Sequence, residues 1–316
     1  MNRKIKETLA GFTYLLPALI ILIVFRIMPI FYSARISFFD WGMAGARKFV
    51  GLQNYIDVLK DPVFWKSLLH TGWFVFLSVP LMLFLSLFIA LLLNTKIRGL
   101  GIYRTIYYLP VVTSIVAVSV VWKWILNPER GLLNYLLSFI GVHNIRWLED
   151  PRGLFDIIFS GLGVKLPEVL VGPSMAMVAL IIMAVWKGIG YNIVIYLAGL
   201  QNIPNQYYEA AKIDGAGKWS MFRNVTWQLI SPTTFYILIM STIIAFETFA
   251  QVWIMTGPPP GGPLGTTKVV MYYFYEQSFE LWRLGYGAAI AFFAFLIILV
   301  LTILQRVFLE KRVHYA

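Results

Sequence analysis

Six long apolar runs alternate with more polar connectors along this chain, at about 10–32, 69–93, 104–126, 174–199, 228–254 and 285–308. Each run reaches the roughly 20 mostly apolar residues that a helix needs to cross a bilayer. Three of the connectors (33–68, 127–173 and 255–284) are long and rich in glycine, proline and aromatic residues, whereas 94–104 is short. The pattern predicts an all-α polytopic membrane protein with about six transmembrane helices.

The composition supports this prediction. Hydrophobic residues make up 59% of the 316 residues, charged residues only 13%, and the mean hydropathy is +0.74. A soluble domain has about 45–50% apolar and about 25% charged residues. The chain has no cysteine, and its three histidines (His70, His143 and His314) show no ligand spacing, so we expect neither disulfides nor a metal site. The basic residues behind the +11 net charge flank the apolar runs, which favours contact with membrane lipid over binding of nucleic acid.

The positions of lysine and arginine predict the orientation. The basic start MNRKIKE precedes a run longer than the apolar core of a signal peptide, about 7–15 residues, so we expect this first span to be retained. Basic residues are concentrated in the short connectors that face the cytoplasm if the N-terminus is inside, which predicts that both termini and the loop 201–228 are cytoplasmic. The segment 151–169 is apolar but too short to span, so we expect an amphipathic piece on the outer face. The chain then divides into a first helix with its outer loop (1–68), a core transmembrane domain (69–308) and a cytoplasmic tail (309–316).

The loop 201–228 has the pattern of two short helices joined at a glycine. Pro204 suits the first turn of a helix, and Glu209 falls in an early turn, where an acid meets the positive end of the helix dipole. Asp214-Gly215 then ends this helix, because glycine readily adopts the left-handed conformation that follows a helix. A second amphipathic helix places four apolar residues on one face: Trp219, Phe222, Val225 and Leu229.

Two interpretations fit such a loop. It could be an interfacial helix lying on lipid, or a docking surface for a protein partner. Ala210 and Ala211 offer little apolar area to a lipid surface but allow another protein surface to come close, which favours docking.

The stretch EAAKIDGAGKWSMFRNVTWQLISP resembles the EAA loop of permease subunits of binding-protein-dependent ABC importers. FVGLQNY, YRTIYYLP, VWKWILNP, GLLNYLL, GGPLGTT and GYGAAIA, in this order, are similar to the carbohydrate-type, maltose-transporter-like permeases. Gln228 departs from the usual proline of the loop. The positions that match the loop pattern are Glu209, Ala210, Ala211, Asp214, Gly215, Ala216, Phe222 and Pro232.

The resemblance implies the type I ABC importer permease fold in a bacterial cytoplasmic (inner) membrane. It also implies a second homologous permease subunit, two cytoplasmic ATPase subunits and an extracytoplasmic solute-binding protein as partners. In such importers the loop is a coupling helix that sits in a cleft of the ATPase. The coupling residues expected from the resemblance are Glu209, Ala210, Ala211, Asp214, Gly215 and Phe222.

No ATP site is predicted on this chain. The stretch GAGKWS at 215–220 lacks the first glycine of a phosphate loop, since position 212 is lysine, and tryptophan follows Lys218 where serine or threonine is required. No Ser-His-Asp arrangement is apparent either. We therefore expect a transport subunit that is not an enzyme and needs no cofactor of its own, with ATP and Mg bound by the partner ATPase subunits.

Polar residues inside the fourth and fifth runs are candidates for a solute pathway, because polar groups inside a membrane span are costly. Glu247 and Gln251 are four residues apart and share one face of a continuous helix. Carboxylates and amides bind sugar hydroxyls, and aromatic rings bind their apolar faces. The predicted pathway residues are Tyr191, Asn192, Glu247, Thr248, Gln251 and Trp253. The competing interpretation is that Lys187 pairs with Glu247 and only locks two helices together. Lys123, near the outer end of its span, is expected to snorkel toward water.

These observations predict the permease subunit of an ATP-driven importer for a carbohydrate or related polyol glycoside. The alternatives are a permease for glycerol phosphate or another small solute, and a secondary carrier. A secondary carrier should have inverted repeats, and the sequence has none that is visible.

Overall fold

The computed structural model describes residues 3–95, 99–160, 163 and 171–313. Within these residues, four helices are long and apolar enough to cross a membrane: Gly11–Ile36, Pro62–Leu93, Met175–Gln201 and Leu284–Leu309. Two sharply bent helix pairs bring the number to six if each pair is counted as one span. The predicted all-α membrane architecture is confirmed.

The α-helices, in chain order, are α1 (Arg3–Leu22), α2 (Met28–Ile36), α3 (Gln53–Lys60), α4 (Pro62–Leu93), α5 (Leu100–Val112), α6 (Ile115–Ile125), α7 (Leu132–Ser138), α8 (Leu154–Ser160), α9 (Met175–Gln201), α10 (Asn205–Ile213), α11 (Lys218–Met221), α12 (Trp227–Leu229), α13 (Ser231–Phe246), α14 (Ala250–Met255), α15 (Val270–Tyr275) and α16 (Leu284–Leu309). Short π-helical turns join α1 to α2 (Ile23–Ile27) and α11 to α12 (Phe222–Thr226), and another follows α15 (Glu276–Glu280). A two-stranded antiparallel hairpin pairs β1 (Phe39–Gly42) with β2 (Gly45–Phe49).

The predicted third span, 104–126, is not one straight helix. It consists of α5 and α6, which bend by 99° at the two residues between them. Pro110 stays inside α5, and the break follows three residues later at Thr113, whose ψ of 144° is extended. The proline removes a backbone donor from this turn and so weakens the end of the helix.

The predicted fifth span, 228–254, is also interrupted. A bend of 60° separates Lys218–Leu229 from α13, and three residues without helical structure separate α13 from α14. Phe249, with φ −143° and ψ −61°, leaves the helical region at this second break. The prediction of one continuous helix through Glu247 and Gln251 is therefore wrong.

Parts of two predicted segments lie outside the described residues. Within the predicted amphipathic piece 151–169, α8 is helical, whereas 161–162 and 164–170 are not described. The basic residues Lys96 and Arg98 of the connector 94–104 also fall outside the described part. The division at 68/69 and 308/309 remains a prediction.

One compact unit comprises 1–64 and 274–295. Within it, the Asn54 amide donates to the carbonyls of Ser37 and Phe39 at 2.8 and 3.0 Å, which holds α3 against the start of the hairpin. The Tyr286 hydroxyl donates to Asp61 at 2.7 Å. A Cβ on Gly285 would lie 2.0 Å from the Phe39 carbonyl oxygen, so this contact requires glycine.

The other unit comprises 65–273 and 296–316 and holds the buried core. Its larger apolar cluster packs α4, α6, α9 and α14 together, with Phe74, Leu126, Met183 and Val252 all almost inaccessible. A second cluster joins α4, α9 and α13 around Tyr196. The polar residues predicted for the solute pathway therefore lie on α9 and α14, which form part of this core, and in the break that precedes α14.

Candidate functional site

The loop between α9 and α13 has the helix–turn–helix form that its sequence predicts. Helix α10 ends at Ile213, and Gly215 follows with φ +74°. The Ala216 amide donates to the Ala211 carbonyl at 2.9 Å and the Gly215 amide to the Lys212 carbonyl at 3.0 Å. These two bonds form a Schellman motif, which satisfies the last carbonyls of the helix and reverses the chain.

The start of this helix differs slightly from the prediction. Pro204 precedes the first helical residue, Asn205, and makes no side-chain cap. Glu209 consequently lies in the second turn, where the helix dipole acts more weakly on an acid. Glu209 and Ala210 are exposed and Ala211 is half-buried, so this face of α10 is open to a partner surface.

Apolar side chains are exposed at the tip of the turn. Ile213 is 86% exposed and Trp219 is 72% exposed. The Trp219 ring stacks on Phe222 with 5.5 Å between ring centroids. The hydroxyl groups of Tyr208 and Thr226 are hydrogen-bonded at 3.0 Å, which ties α10 to the turn that follows α11. The loop is thus braced internally, and its tip presents an apolar surface.

The second predicted region centres on the break after α13. Glu247 caps the end of α13 and is exposed in this chain, whereas Gln251 begins the second half of the broken span and is buried. The Gln251 amide donates to the Thr248 hydroxyl, at the limit of hydrogen-bond distance at 3.5 Å. The break therefore brings Thr248 and Gln251 together and leaves Glu247 exposed on the surface of the chain.

The remaining predicted pathway residues divide in the same way. Asn192 is buried and donates to the Ser241 hydroxyl at 3.4 Å, which links α9 to α13. Its neighbour Tyr191 is 40% exposed. Trp253 is half-buried, with its ring 5.9 Å from that of Phe249. Asn192, Thr248 and Gln251 thus belong to the polar interior, whereas Tyr191 and Glu247 lie on the surface of this chain.

Lys187 does not pair with Glu247. Its ammonium donates at 2.9 Å to the carbonyl of Pro110, in the last turn of α5, and at 2.8 Å to that of Thr113, in the 99° bend. A cation at the C-terminal end of a helix is stabilised by unsatisfied carbonyls and by the helix dipole. The competing interpretation of a helix-locking ion pair is therefore wrong, and Lys187 instead fastens α9 to the broken third span.

Lys123 has a comparable role that its sequence position did not suggest. It does not snorkel. Its ammonium donates to the carbonyl of Gly257 and, at 3.3 Å, to that of Ile254. Lys123 therefore joins α6 to the end of α14. A cavity of about 330 Å³ opens beside this contact, lined also by Asn127 and Glu149. The only feature of the sequence that pointed to this contact was a lysine within an apolar run.

Comparison with known proteins identifies the family. The model for the binding-protein-dependent transport system inner membrane component matches residues 55–314. The chain belongs to this family. As a member, this transport subunit is not an enzyme, and ATP hydrolysis resides in separate subunits.

Two curated relatives cover nearly the whole transport subunit. The trehalose/maltose transport system permease protein MalF of Thermococcus litoralis is 33% identical over 301 residues, 95% of this chain and 93% of that protein. The sn-glycerol-3-phosphate transport system permease protein UgpA of Agrobacterium fabrum is 33% identical over 303 residues, 95% of this chain and 94% of that protein.

A solved structure has the same fold. It is a bacterial alginate ABC transporter in complex with an alginate pentasaccharide-bound periplasmic protein. One chain of it superposes with a TM-score of 0.75 at 23% identity, covering 96% of this subunit and 95% of that chain. The importer permease fold predicted from the EAA-like loop is confirmed.

Proposed function

We propose that this chain is the permease subunit of an ATP-driven ABC importer that moves a carbohydrate or related polyol glycoside across a bacterial cytoplasmic membrane. The observation that carries the proposal is the loop at α10 and α11. It pairs a glycine-capped reversal with exposed Ile213 and Trp219. An apolar tip on an internally braced loop is suited to a protein cleft.

The loop transmits the work of ATP hydrolysis in this proposal. It docks in a cleft of a cytoplasmic ATPase subunit, with Ala210 and Ala211 allowing close approach and Gly215 fixing the turn. Glu209 and Asp214 supply polar contacts, and Phe222 supports the tip. ATP and Mg are bound by the two ATPase subunits.

A neutral solute fits the predicted pathway better than a phosphate ester. The trehalose/maltose and glycerol 3-phosphate relatives have the same sequence identity to this chain, 33%. Identity therefore does not decide between a neutral solute and a phosphate ester. An anionic solute would meet the exposed Glu247 carboxylate, while the ammonium of Lys187 is already engaged by two carbonyls. Like charges repel, so this arrangement favours a solute recognised through hydroxyl groups.

A second, homologous permease completes the pathway in this proposal, because Tyr191 and Glu247 lie on the surface of this chain rather than in its core. An extracytoplasmic solute-binding protein delivers the solute. Side chains that line a path between two subunits are exposed in each subunit alone.

The test is substrate-stimulated ATP hydrolysis by the complex reconstituted with its binding protein. Neutral di- and oligosaccharides are compared with glycerol 3-phosphate. Gln251→Ala and Glu247→Gln should lower transport about 5- to 150-fold, the equivalent of the roughly 1–3 kcal/mol cost of a lost polar partner. Glu280→Gln, an exposed acid outside the predicted pathway, is the matched control. Stimulation by glycerol 3-phosphate alone would reject the carbohydrate assignment.

Both termini and the loop 201–228 are cytoplasmic in this proposal. The chain contains no cysteine, so Lys218→Cys creates a single reporter on an exposed side chain. We expect this cysteine to react with an impermeant thiol reagent only after the cells are opened. Labelling in intact cells would show that the loop is extracytoplasmic and would reject the proposed topology.

A further inference from the structure

The segment that follows α6, from Asn127 to Trp147, is held by side-chain hydrogen bonds although it lies in a long connector; we call it the frame. Asn134 is 8% exposed, and its amide donates to the carbonyls of Pro128 and Ile145, both at 2.9 Å. Its oxygen accepts the indole N–H of Trp147, also at 2.9 Å. A single buried side chain thus fastens three points of the connector.

The entry to α7 is equally constrained. The Asn127 side-chain oxygen accepts the backbone N–H groups of Glu129 and Arg130 at 3.0 and 2.9 Å. A Cβ on Gly131 would lie 2.3 Å from the Asn127 carbonyl oxygen, so only glycine fits there. Such rigidity holds α7 in one orientation, with Asn134 facing inward.

The opposite face of α7 and of the turn after it is apolar and uncovered in this chain. The large side chains on it follow the i, i+3, i+4, i+7, i+8 spacing of one helix face. They are all at least 46% exposed: Leu132, Tyr135, Leu136, Phe139 and Ile140. Phe139 and Ile140 reach 71% and 74%. Water is a poor solvent for such a surface.

This surface continues an apolar stripe on α6. Val116, Val120 and Trp124 are four residues apart and are each more than half exposed. Trp124 then lines the same cavity as Tyr135, so the two surfaces meet there. Tryptophan and tyrosine are enriched where a membrane protein crosses from hydrocarbon to headgroups.

The cavity between them has polar groups at its mouth. Its volume is about 380 Å³, and its lining includes Arg130, His143, Ser138 and Glu129. Arginine and histidine N–H groups are suitable donors to phosphate oxygens. An apolar ledge with arginine and histidine N–H donors at its edge matches the two parts of a phospholipid.

We propose that residues 124–143 form a phospholipid-binding element, in which the apolar face of α7 lies in the membrane interface and Arg130 and His143 hold the headgroup phosphate. A protein partner fits less well. The apolar face is bordered by Trp124 and Tyr135, residue types enriched where a membrane protein meets the lipid headgroups, and by N–H donors suited to a phosphate.

Two arms test the proposal on the full chain in vesicles of phosphatidylethanolamine and phosphatidylglycerol. The first places an environment-sensitive fluorophore on Ile140→Cys, with Arg146→Cys as the exposed polar control on the same frame. We expect brominated phospholipids to quench the label at 140 and aqueous iodide to quench that at 146. Quenching at 140 by iodide, or by neither agent, would overturn the proposal, because the face would then lie in water or under protein.

The second arm measures phospholipid retained by the purified chain, using native mass spectrometry. The double variant Arg130→Gln, His143→Gln should retain about tenfold less phospholipid, since it loses the Arg130 charge and the His143 ring N–H group as donors to phosphate. Arg146→Gln, which removes an exposed arginine outside the cavity, should retain the wild-type amount. Equal retention in both variants would overturn the assignment of the headgroup pocket.

Discussion

Replacing Lys187 with methionine should release the bend between α5 and α6. Methionine keeps the apolar stem of the side chain and removes the ammonium, so the carbonyls of Pro110 and Thr113 lose their shared donor. The two lost bonds are 2.9 and 2.8 Å long, and the acceptors end a helix on which another core helix packs.

The size of the effect follows from the two bonds. A hydrogen bond with a charged partner contributes about 1.5–3 kcal/mol. Lys187 is only half-buried, so solvent screens part of this energy, and we take about 2–3 kcal/mol for the pair together. That loss lowers the equilibrium constant for the bent state about 30- to 150-fold. We expect a clear decrease in the yield and melting temperature of the detergent-purified complex.

The assay compares four variants. Lys187→Arg keeps a cation with several donors and should retain most of the stability. Glu247→Gln alone should leave yield and melting temperature unchanged. The double variant Lys187→Met, Glu247→Gln should show the sum of the single effects within about 0.5 kcal/mol, because residues without shared partners behave additively. Restoration of stability in the double variant would refute the reasoning and reinstate the ion pair.

Two glycine substitutions, each with a matched control, test other parts of the structure. Gly215→Val places a β-branched residue at φ +74° and should abolish substrate-dependent ATPase stimulation while the chain still inserts in the membrane. Gly217→Val, at an ordinary φ with open space around it, should retain most stimulation, and equal loss in both would contradict the argument from backbone conformation. Gly190→Ala would bring a Cβ within 2.0 Å of the Tyr107 carbonyl oxygen, so α5 must move and the yield of folded protein should fall. Gly188→Ala meets only the flexible side chain of a methionine and should be tolerated; a similar loss of yield in both would show that this close approach is unimportant.

The spans and the loop turn could be predicted from sequence because their causes are local. Long apolar runs require a nonpolar surrounding, and Asp214-Gly215 provides the left-handed residue that ends a helix. The same reasoning failed at 247–249, since the run there contains neither glycine nor proline. Phe249 leaves the helical region in an apolar context that looks uninterrupted along the chain. The break places α14 against α6, a tertiary contact that the local sequence does not encode.

The partners of the two lysines were also beyond sequence reasoning. Lys187 and Lys123 are cations in apolar runs, and the sequence offered an acid or the membrane surface as the obvious partner. The structure supplies backbone carbonyls instead: for Lys187 at the unpredicted break between α5 and α6, and for Lys123 at the end of α14. A backbone carbonyl becomes available where a helix ends, so the unpredicted break after α5 concealed the partner of Lys187. The partner of Lys123 was concealed because the packing of α6 against α14 cannot be deduced from the sequence.

The exposed tip of the α10–α11 loop has a consequence for how the cell must handle this protein. Ile213 and Trp219 project from a loop whose turn is internally hydrogen-bonded, so unfolding is not needed to expose them. A chain made in excess of its partners would keep this apolar surface exposed, which promotes aggregation and recognition by chaperones and proteases. We therefore expect its lifetime to depend on assembly, and its production in the laboratory to require synthesis together with the ATPase subunits proposed to cover this tip.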